Sequence, residues 1–195
     1  MRSLNLCIDI DGTVTEPFYW LQRANEYFKA NVKPKEINVY EIHQVYGVEE
    51  SHYNEFYNLF GRLLHTESKM RLGAGKVISN LYAHHQIHFV TAREEKMRSV
   101  STDWLAKHKI PMDSISLLGT HNKVKRANEL NCDIFIEDRY DNAVQLAEAG
   151  FDVLLIDCSY NKGPLPVNVK RIKYWYQIEN YINVLSLQFD ELKFA

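Results

Sequence analysis

Residues 4–13, Leu-Asn-Leu-Cys-Ile-Asp-Ile-Asp-Gly-Thr, join a short apolar run to two aspartates that lie two positions apart. On an extended chain, side chains at i and i+2 point to the same side, so we expect Asp9 and Asp11 to face together. Gly12 lets the backbone turn sharply after them. A turn of this kind also ends many ordinary strands. The pair therefore has to be interpreted together with the other strand ends.

Five further runs of mostly apolar residues predict strands. They span residues 87–90, 115–118, 134–136, 153–156 and 169–175. Segments with apolar residues near helical spacing lie between several of these runs, at 94–108, 122–130 and 141–149. Asn122 is expected to cap the second of these helices. The alternation predicts an α/β fold class, a doubly wound parallel sheet with helices on both faces.

One long insertion interrupts this alternation. Roughly sixty residues separate the first strand from the helix that begins near Gly73, far more than one crossover requires. The stretch predicts helices over 17–30 and 49–64, and residues 18–60 hold 11 of the 24 aromatic residues. We predict a catalytic core of residues 1–15 and 71–195, with a small helical cap of residues 16–70 inserted after the first strand. Most of the aromatics are expected to form the core of the cap.

Composition limits the function. The chain has 23 basic and 25 acidic residues and a net charge of -2, so no excess of positive charge is present to bind a nucleic acid polymer. No apolar run approaches the ~20 residues that cross a membrane. Three cysteines, Cys7, Cys132 and Cys158, lie far apart in or beside apolar runs. They indicate reduced thiols in a cytoplasmic protein.

Polar residues follow the ends of the other predicted strands. Thr91 follows the second strand, Lys123 the third, and Glu137 and Asp138 the fourth. Ligands of open α/β sheets bind outside the carboxyl ends of the strands, so we expect one shared site. Crowded carboxylates need a counter-ion, and Mg²⁺ bound by oxygen atoms supplies one. With Lys123 and Thr91 holding phosphoryl oxygens, one aspartate is free to attack phosphorus, and the predicted chemistry is phosphoryl transfer.

These motifs together resemble the haloacid dehalogenase (HAD) superfamily of aspartate-nucleophile phosphatases. The resemblance implies that Asp9 is the nucleophile that becomes phosphorylated. It implies that Asp11 is the general acid and then the general base. It also implies a Mg²⁺ site formed by Asp9, the main-chain carbonyl of Asp11, and Asp138.

The same resemblance implies how phosphate is held. Thr91 and Lys123 would stabilise the phosphoryl oxygens. Lys125 is the alternative to Lys123, although spacing to the following acidic pair favours Lys123. Ala92 stands where related enzymes often carry a hydroxyl, which leaves Arg93 as a replacement contact to phosphate.

Within the superfamily, the insertion and residues 89–93, 136–139 and 157–161 resemble the 5′(3′)-deoxyribonucleotidase family and its bacterial members. The resemblance implies Mg²⁺-dependent hydrolysis of a (deoxy)nucleoside monophosphate. Another small phosphomonoester, such as a sugar phosphate, is the alternative substrate, and a non-catalytic phosphate-binding module is the alternative of a different class. Phe18 and Trp20 are candidates to stack on a base. The sequence leaves open whether exposed cap aromatics form a homodimer surface.

Overall fold

Short strands that are apolar on both faces form the centre of the molecule. The structure is a computed structural model, which describes residues 2–191. The strands are β1 (Asn5–Ile8), β2 (Gln86–Thr91), β3 (Ser114–Leu117), β4 (Ile134–Glu137), β5 (Asp152–Ile156) and β6 (Val169–Ile172). They form one parallel sheet in the order β3-β2-β1-β4-β5-β6. The chain changes direction across the sheet between β1 and β4, the switch point at which such sheets bind ligands.

Eight α-helices accompany the sheet in the described part of the chain. They are α1 (Leu21–Tyr27), α2 (Ile42–Tyr46), α3 (Glu50–Glu67), α4 (Ala74–Tyr82), α5 (Arg98–Lys107), α6 (Val124–Glu129), α7 (Tyr140–Glu148) and α8 (Trp175–Glu191). Short 3-10 turns lie at Pro34–Glu36 and Glu95–Met97. Every helix within residues 2–191 is too short or too polar to traverse a bilayer.

The side chains of the strands alternate between two apolar layers. Leu6 and Ile8 of β1 pack in the layer that contains α4, α5 and α8. Cys7, between them, packs in the opposite layer with α6 and α7. All three are fully buried, and burying a side chain such as leucine contributes about 1.5–3 kcal/mol. The predicted doubly wound α/β fold is therefore confirmed.

A helical cap follows β1. Helices α1 to α3 share a separate apolar cluster in which Trp20, Leu21 and Phe56 are buried. The chain leaves and rejoins the core side by side, because Thr15 and Met70 form an antiparallel bridge. We keep residues 16–70 as the proposed extent of the cap.

Several local predictions need correction. Asn122 does not cap α6: Lys123 holds the N-cap position, while the Asn122 side chain only accepts a bond from the Val124 N–H at 3.3 Å. Trp175 begins α8 rather than ending β6, because strand pairing stops at Ile172, opposite the last residue of β5. The helix predicted over 17–30 is shorter, Leu21–Tyr27, and α2 was not predicted.

Candidate active site

The turn after β1 brings Asp9 and Gly12 to the switch point. Asp9 is 5% exposed, and its N–H donates to the carbonyl of Ile136 in β4 at 3.0 Å. Gly12 has φ +76°, and a Cβ at this position would lie 2.1 Å from Oδ2 of Asp138. Glycine is therefore required here for both the backbone conformation and the close approach to Asp138.

Three buried carboxylates share this position. Oxygens of Asp9, Glu137 and Asp138 all lie within 4.8 Å of one another. Lys123 is 1% exposed, and its Nζ donates to Asp9 Oδ1 and, at 2.7 Å, to Glu137 Oε2. One ammonium group thus faces three carboxyl groups.

Burial and this imbalance of charge raise the pKa values of the two aspartates in the cluster. Burial raises the pKa of Asp9 well above its usual range, and the charges of Glu137 and Asp138 add to the rise against the opposing effect of Lys123. Burial, followed by the charge of Glu137, raises the pKa of Asp138 to about 7. The cluster therefore favours the binding of a further cation.

The donor set fits a hard divalent cation such as Mg²⁺, which prefers few carboxylates together with water and phosphate. Glu137 is largely occupied by protein partners. Its Oε1 accepts from the Arg139 N–H at 3.1 Å and from Asn142 Nδ2 at 3.3 Å, and its Oε2 accepts from Lys123. Asp138 accepts two bonds, from Thr13 Oγ1 at 3.2 Å and from Tyr160 Oη, and Asp9 accepts from Lys123. Each aspartate thus accepts fewer bonds than Glu137, which makes the two aspartates the better ligands.

Asp11 is held by two partners from different parts of the chain. Arg93 donates from Nε to Oδ2 at 2.8 Å and from Nη2 to Oδ1 at 2.6 Å, and Tyr19 Oη donates to Oδ1 at 2.8 Å. Burial alone raises the pKa of Asp11, but the guanidinium outweighs it and holds this pKa below its usual range. Arg93 also donates to Ser101 at 2.8 Å, so this structure does not present it as a free phosphate contact.

The other predicted phosphate ligands lie at neighbouring strand ends. Thr91 ends β2, is 1% exposed, and accepts a bond from the Arg93 N–H through Oγ1 at 3.3 Å. Lys123 reaches the carboxylates as described above. The side chain of Lys125 is 90% exposed and lies 3.9 Å from Glu129. Of the two lysines, only Lys123 is brought into the site.

A cavity of about 420 Å³ lies between the core and the cap. Its floor includes Asp11 and Asp138, and aromatic side chains of the cap form much of its wall. Those aromatic residues are Tyr19, Trp20, Tyr40, Tyr53 and Tyr57. Phe18 does not line this cavity and instead packs edge-on against Trp20 and Tyr160, with ring centroids 6.3 and 6.0 Å away. The volume is that of a small-molecule pocket.

Tyr40 is a wall residue that the sequence did not single out. The Arg139 guanidinium lies 4.4 Å from the centre of its ring, and Arg139 Nη2 donates to Glu41 at 2.8 Å. Burial, and then the charges of Asp138, Asp9 and Glu137, raise the pKa of the Tyr40 hydroxyl. Arg139 therefore joins the core to the cap loop beside the cavity.

The sheet order and the acidic turn after β1 define the class of proteins with the HAD-like fold. A haloacid dehalogenase-like family hydrolase from Streptococcus pneumoniae shares the fold with a TM-score of 0.72 and 13% identity, over 92% of this chain and 98% of that chain. A Bacillus subtilis protein classed among the HAD hydrolases and solved bound to magnesium has a TM-score of 0.62 and 13% identity, over 94% and 100% of the two chains.

Sequence comparison then identifies the family. The family model "5′ nucleotidase, deoxy (Pyrimidine), cytosolic type C protein" matches residues 2–189. A nucleotidase from Clostridium acetobutylicum is 45% identical over 185 residues, which is 95% of this chain and 96% of the relative. The chain belongs to this 5′-nucleotidase family. It is a phosphoric monoester hydrolase, as predicted.

Proposed function

We propose that this enzyme hydrolyses (deoxy)nucleoside monophosphates in a Mg²⁺-dependent reaction through an aspartyl-phosphate on Asp9. The observation that carries the proposal is the buried cluster in which Lys123 bridges Asp9 and Glu137, with Asp138 at the floor of the adjoining cavity. Lysine and carboxylates in this arrangement suit the transfer of a phosphoryl group.

Asp9 is the nucleophile in this proposal. One of its carboxylate oxygens attacks phosphorus, the bond to the ester oxygen breaks, and the phosphoryl group becomes an acyl phosphate on Asp9. The leaving ester oxygen takes a proton from Asp11 and departs as an alcohol. Water then attacks phosphorus, gives a proton back to Asp11, and releases inorganic phosphate from Asp9.

Asp11 serves as acid in the first step and as base in the second. Paired with Arg93, it is the carboxylate that can accept the proton of water. To donate, it must first take up a proton, and the negative charge of a bound phosphate ester favours this uptake. Asp11 also lines the cavity, so it faces the space into which the alcohol departs.

Lys123 and Thr91 hold the phosphoryl oxygens. A buried ammonium group is worth more to a developing negative charge than an exposed one, because little water screens it. Asp9, Asp138 and the main-chain carbonyl of Asp11 would hold Mg²⁺, which neutralises phosphoryl charge when bound. The magnesium-bound Bacillus subtilis relative in fold supports this choice of cation.

The aromatic wall supports a nucleoside as the leaving group. Trp20, Tyr40 and Tyr53 line one cavity together with the catalytic aspartate Asp11. Flat rings stack on nucleobases, and each such contact contributes ~1–3 kcal/mol. A sugar phosphate would leave most of this aromatic surface without a partner.

The test measures phosphate release from ribo- and deoxyribonucleoside monophosphates, sugar phosphates and p-nitrophenyl phosphate, with Mg²⁺ or with EDTA. We expect turnover on nucleotides with Mg²⁺ only, and none in Asp9→Asn. Acid quenching with radiolabelled substrate should leave phosphate on the wild-type protein and not on this variant. Asp103→Asn, on the exposed surface of α5, is the matched control. Preference for sugar phosphates would overturn the nucleotide assignment, and unaltered turnover in Asp9→Asn would overturn the mechanism.

A further inference from the structure

A row of hydrogen bonds leads from the cap helix α3 to Asp11. Tyr57 Oη lies 2.8 Å from Nε2 of His65, and the other ring nitrogen, Nδ1, lies 3.3 Å from Tyr19 Oη. Tyr19 Oη in turn donates to Asp11 Oδ1 at 2.8 Å. The row therefore ends on an oxygen of the proposed acid and base.

The protons in this row have one consistent arrangement. Both ring nitrogens of His65 have a tyrosine hydroxyl as partner, and a neutral ring has one donor and one acceptor nitrogen. Tyr19 has a single proton, which it donates to Asp11. His65 Nδ1–H must then donate to Tyr19, and His65 Nε2 must accept from Tyr57. Each hydroxyl and ring N–H in the row is used once, an arrangement that strengthens the individual bonds.

The sequence of helix α3 allows the hydrogen bond between Tyr57 and His65. Tyr57 and His65 lie two turns apart on the same face of the helix, with Gly61 between them. A Cβ at Gly61 would lie 3.0 to 3.1 Å from carbons of the Tyr57 ring. Glycine therefore leaves room for the Tyr57 ring to lie along the helix toward His65.

We propose that Tyr19, His65 and Tyr57 are positioning residues that orient the Asp11 carboxyl group from the cap side, in addition to the contact that Arg93 makes from the core. The inference rests on the proposed function, because it takes Asp11 to be the group that exchanges protons with the substrate. His65 is 2% exposed, and a fully connected polar row in such a place fixes geometry that apolar packing alone would not fix.

Leaving-group dependence distinguishes positioning of an acid from general support of the fold. A nucleoside alkoxide needs a proton to depart, whereas p-nitrophenolate departs readily without one. Because Asp11 is also the base of the second step, which both substrates share, the comparison is made on the first step alone, the single-turnover phosphorylation of Asp9. Tyr19→Phe should slow this step with a nucleoside monophosphate by roughly 10-fold or more. With p-nitrophenyl phosphate the same step should change by less than about 3-fold. Asp11→Asn should give the same pattern in this step, with a larger loss on the nucleotide.

Two further variants test the row at greater distance from Asp11. His65→Leu should resemble Tyr19→Phe, and Tyr57→Phe should have a smaller effect in the same direction, since it removes only the outermost bond. Tyr46→Phe is the matched control. It removes a cap hydroxyl that bonds Asn25 at 2.9 Å, away from the site, so both substrates should be turned over as by wild type. If His65→Leu does not fold, the comparison of the two substrates in Tyr19→Phe still tests the inference.

The outcomes separate this inference from the proposed function. Wild-type turnover of both substrates, lost in Asp9→Asn, establishes the reaction independently of the row. Against that background, equal losses on both substrates in the rate of Asp9 phosphorylation by Tyr19→Phe would mean a structural or binding role and would overturn the inference. An unchanged phosphorylation rate with both substrates would overturn it as well. If wild type hydrolyses no phosphomonoester, the proposed function fails, and the inference falls with it.

Discussion

Arg93 and Asp11 form a two-point ion pair in which Nε donates to Oδ2 at 2.8 Å and Nη2 donates to Oδ1 at 2.6 Å. Arg93 is 4% exposed, and its remaining nitrogen donates to Ser101 at 2.8 Å. A guanidinium held in this way fixes the plane of the carboxylate as well as its charge. The proposed phosphate site lacks the hydroxyl that the resemblance would place at Ala92, and Arg93 is engaged with Asp11 rather than free to replace it.

Replacing Arg93 by lysine tests this pairing. Arg93→Lys keeps the charge but offers one point of contact in place of two, so Asp11 loses its fixed plane. We expect kcat on nucleotides to fall by roughly 10-fold or more with little change in KM. Arg98→Lys, an exposed change at the start of α5, is the control. A rise in KM with unchanged kcat would instead assign Arg93 to binding phosphate.

Replacing each lysine in turn by methionine tests whether Lys123 or Lys125 acts at the proposed phosphate site. Lys123→Met removes the single ammonium group between Asp9 and Glu137 and leaves both buried without it. We expect loss of turnover and a destabilisation of about 3–5 kcal/mol, seen as a fall in Tm. Lys125→Met should behave as wild type in both measurements, because that side chain is exposed. Retained turnover in Lys123→Met would remove Lys123 from the phosphate site.

The sheet could be predicted from sequence because its strands are short apolar runs separated by amphipathic segments. The strand ends were predictable for the same reason, since parallel strands deliver residues such as Asp9, Thr91 and Asp138 to one edge. The bounds of short elements were less predictable. Helix α2 has five residues and no buried side chain, so it leaves little apolar periodicity in the sequence.

Apart from Trp20, which lines the cavity, the cap side of the site could not be predicted. Tyr19 and His65 meet across 46 positions of sequence, and no local spacing relates them. Tyr40 lies in a loop whose position depends on its contact with Arg139 of the core. Such contacts are decided by how the cap packs on the sheet, which periodicity within one element does not encode.

Magnesium should stabilise the folded protein through the carboxylate cluster. The metal-free cluster holds three buried carboxyl groups against one ammonium group, so a bound cation relieves repulsion. At Mg²⁺ concentrations 100 times Kd the stabilisation is about 2.7 kcal/mol, and each kcal/mol raises Tm by roughly 2–4 °C. This gain should be lost in Asp138→Asn and retained in Asp103→Asn. An equal rise of Tm in all three proteins would place the ion elsewhere.

Gly12→Ala should strongly lower turnover, because the added Cβ collides with Asp138, and this effect can be distinguished from that of backbone strain. The new Cβ would lie 2.1 Å from Asp138 Oδ2 and 2.8 Å from Tyr160 Oη, so Asp138 must move. A displacement of about 1 Å in a catalytic site lowers turnover by roughly 100-fold. The positive φ of +76° adds about 1–2 kcal/mol of strain.

Gly47→Ala isolates that strain. Gly47 has φ +61° at the end of α2, and nothing lies within 4 Å of its added Cβ. We expect it to lower stability by about 1 kcal/mol, a loss close to the strain part of Gly12→Ala, while the turnover of nucleotides stays unchanged. Phosphate release and thermal unfolding of the two variants, measured side by side, distinguish the effect of backbone strain from that of the collision with Asp138. If Gly12→Ala retains wild-type turnover, the close approach of the turn to Asp138 is not needed for the reaction.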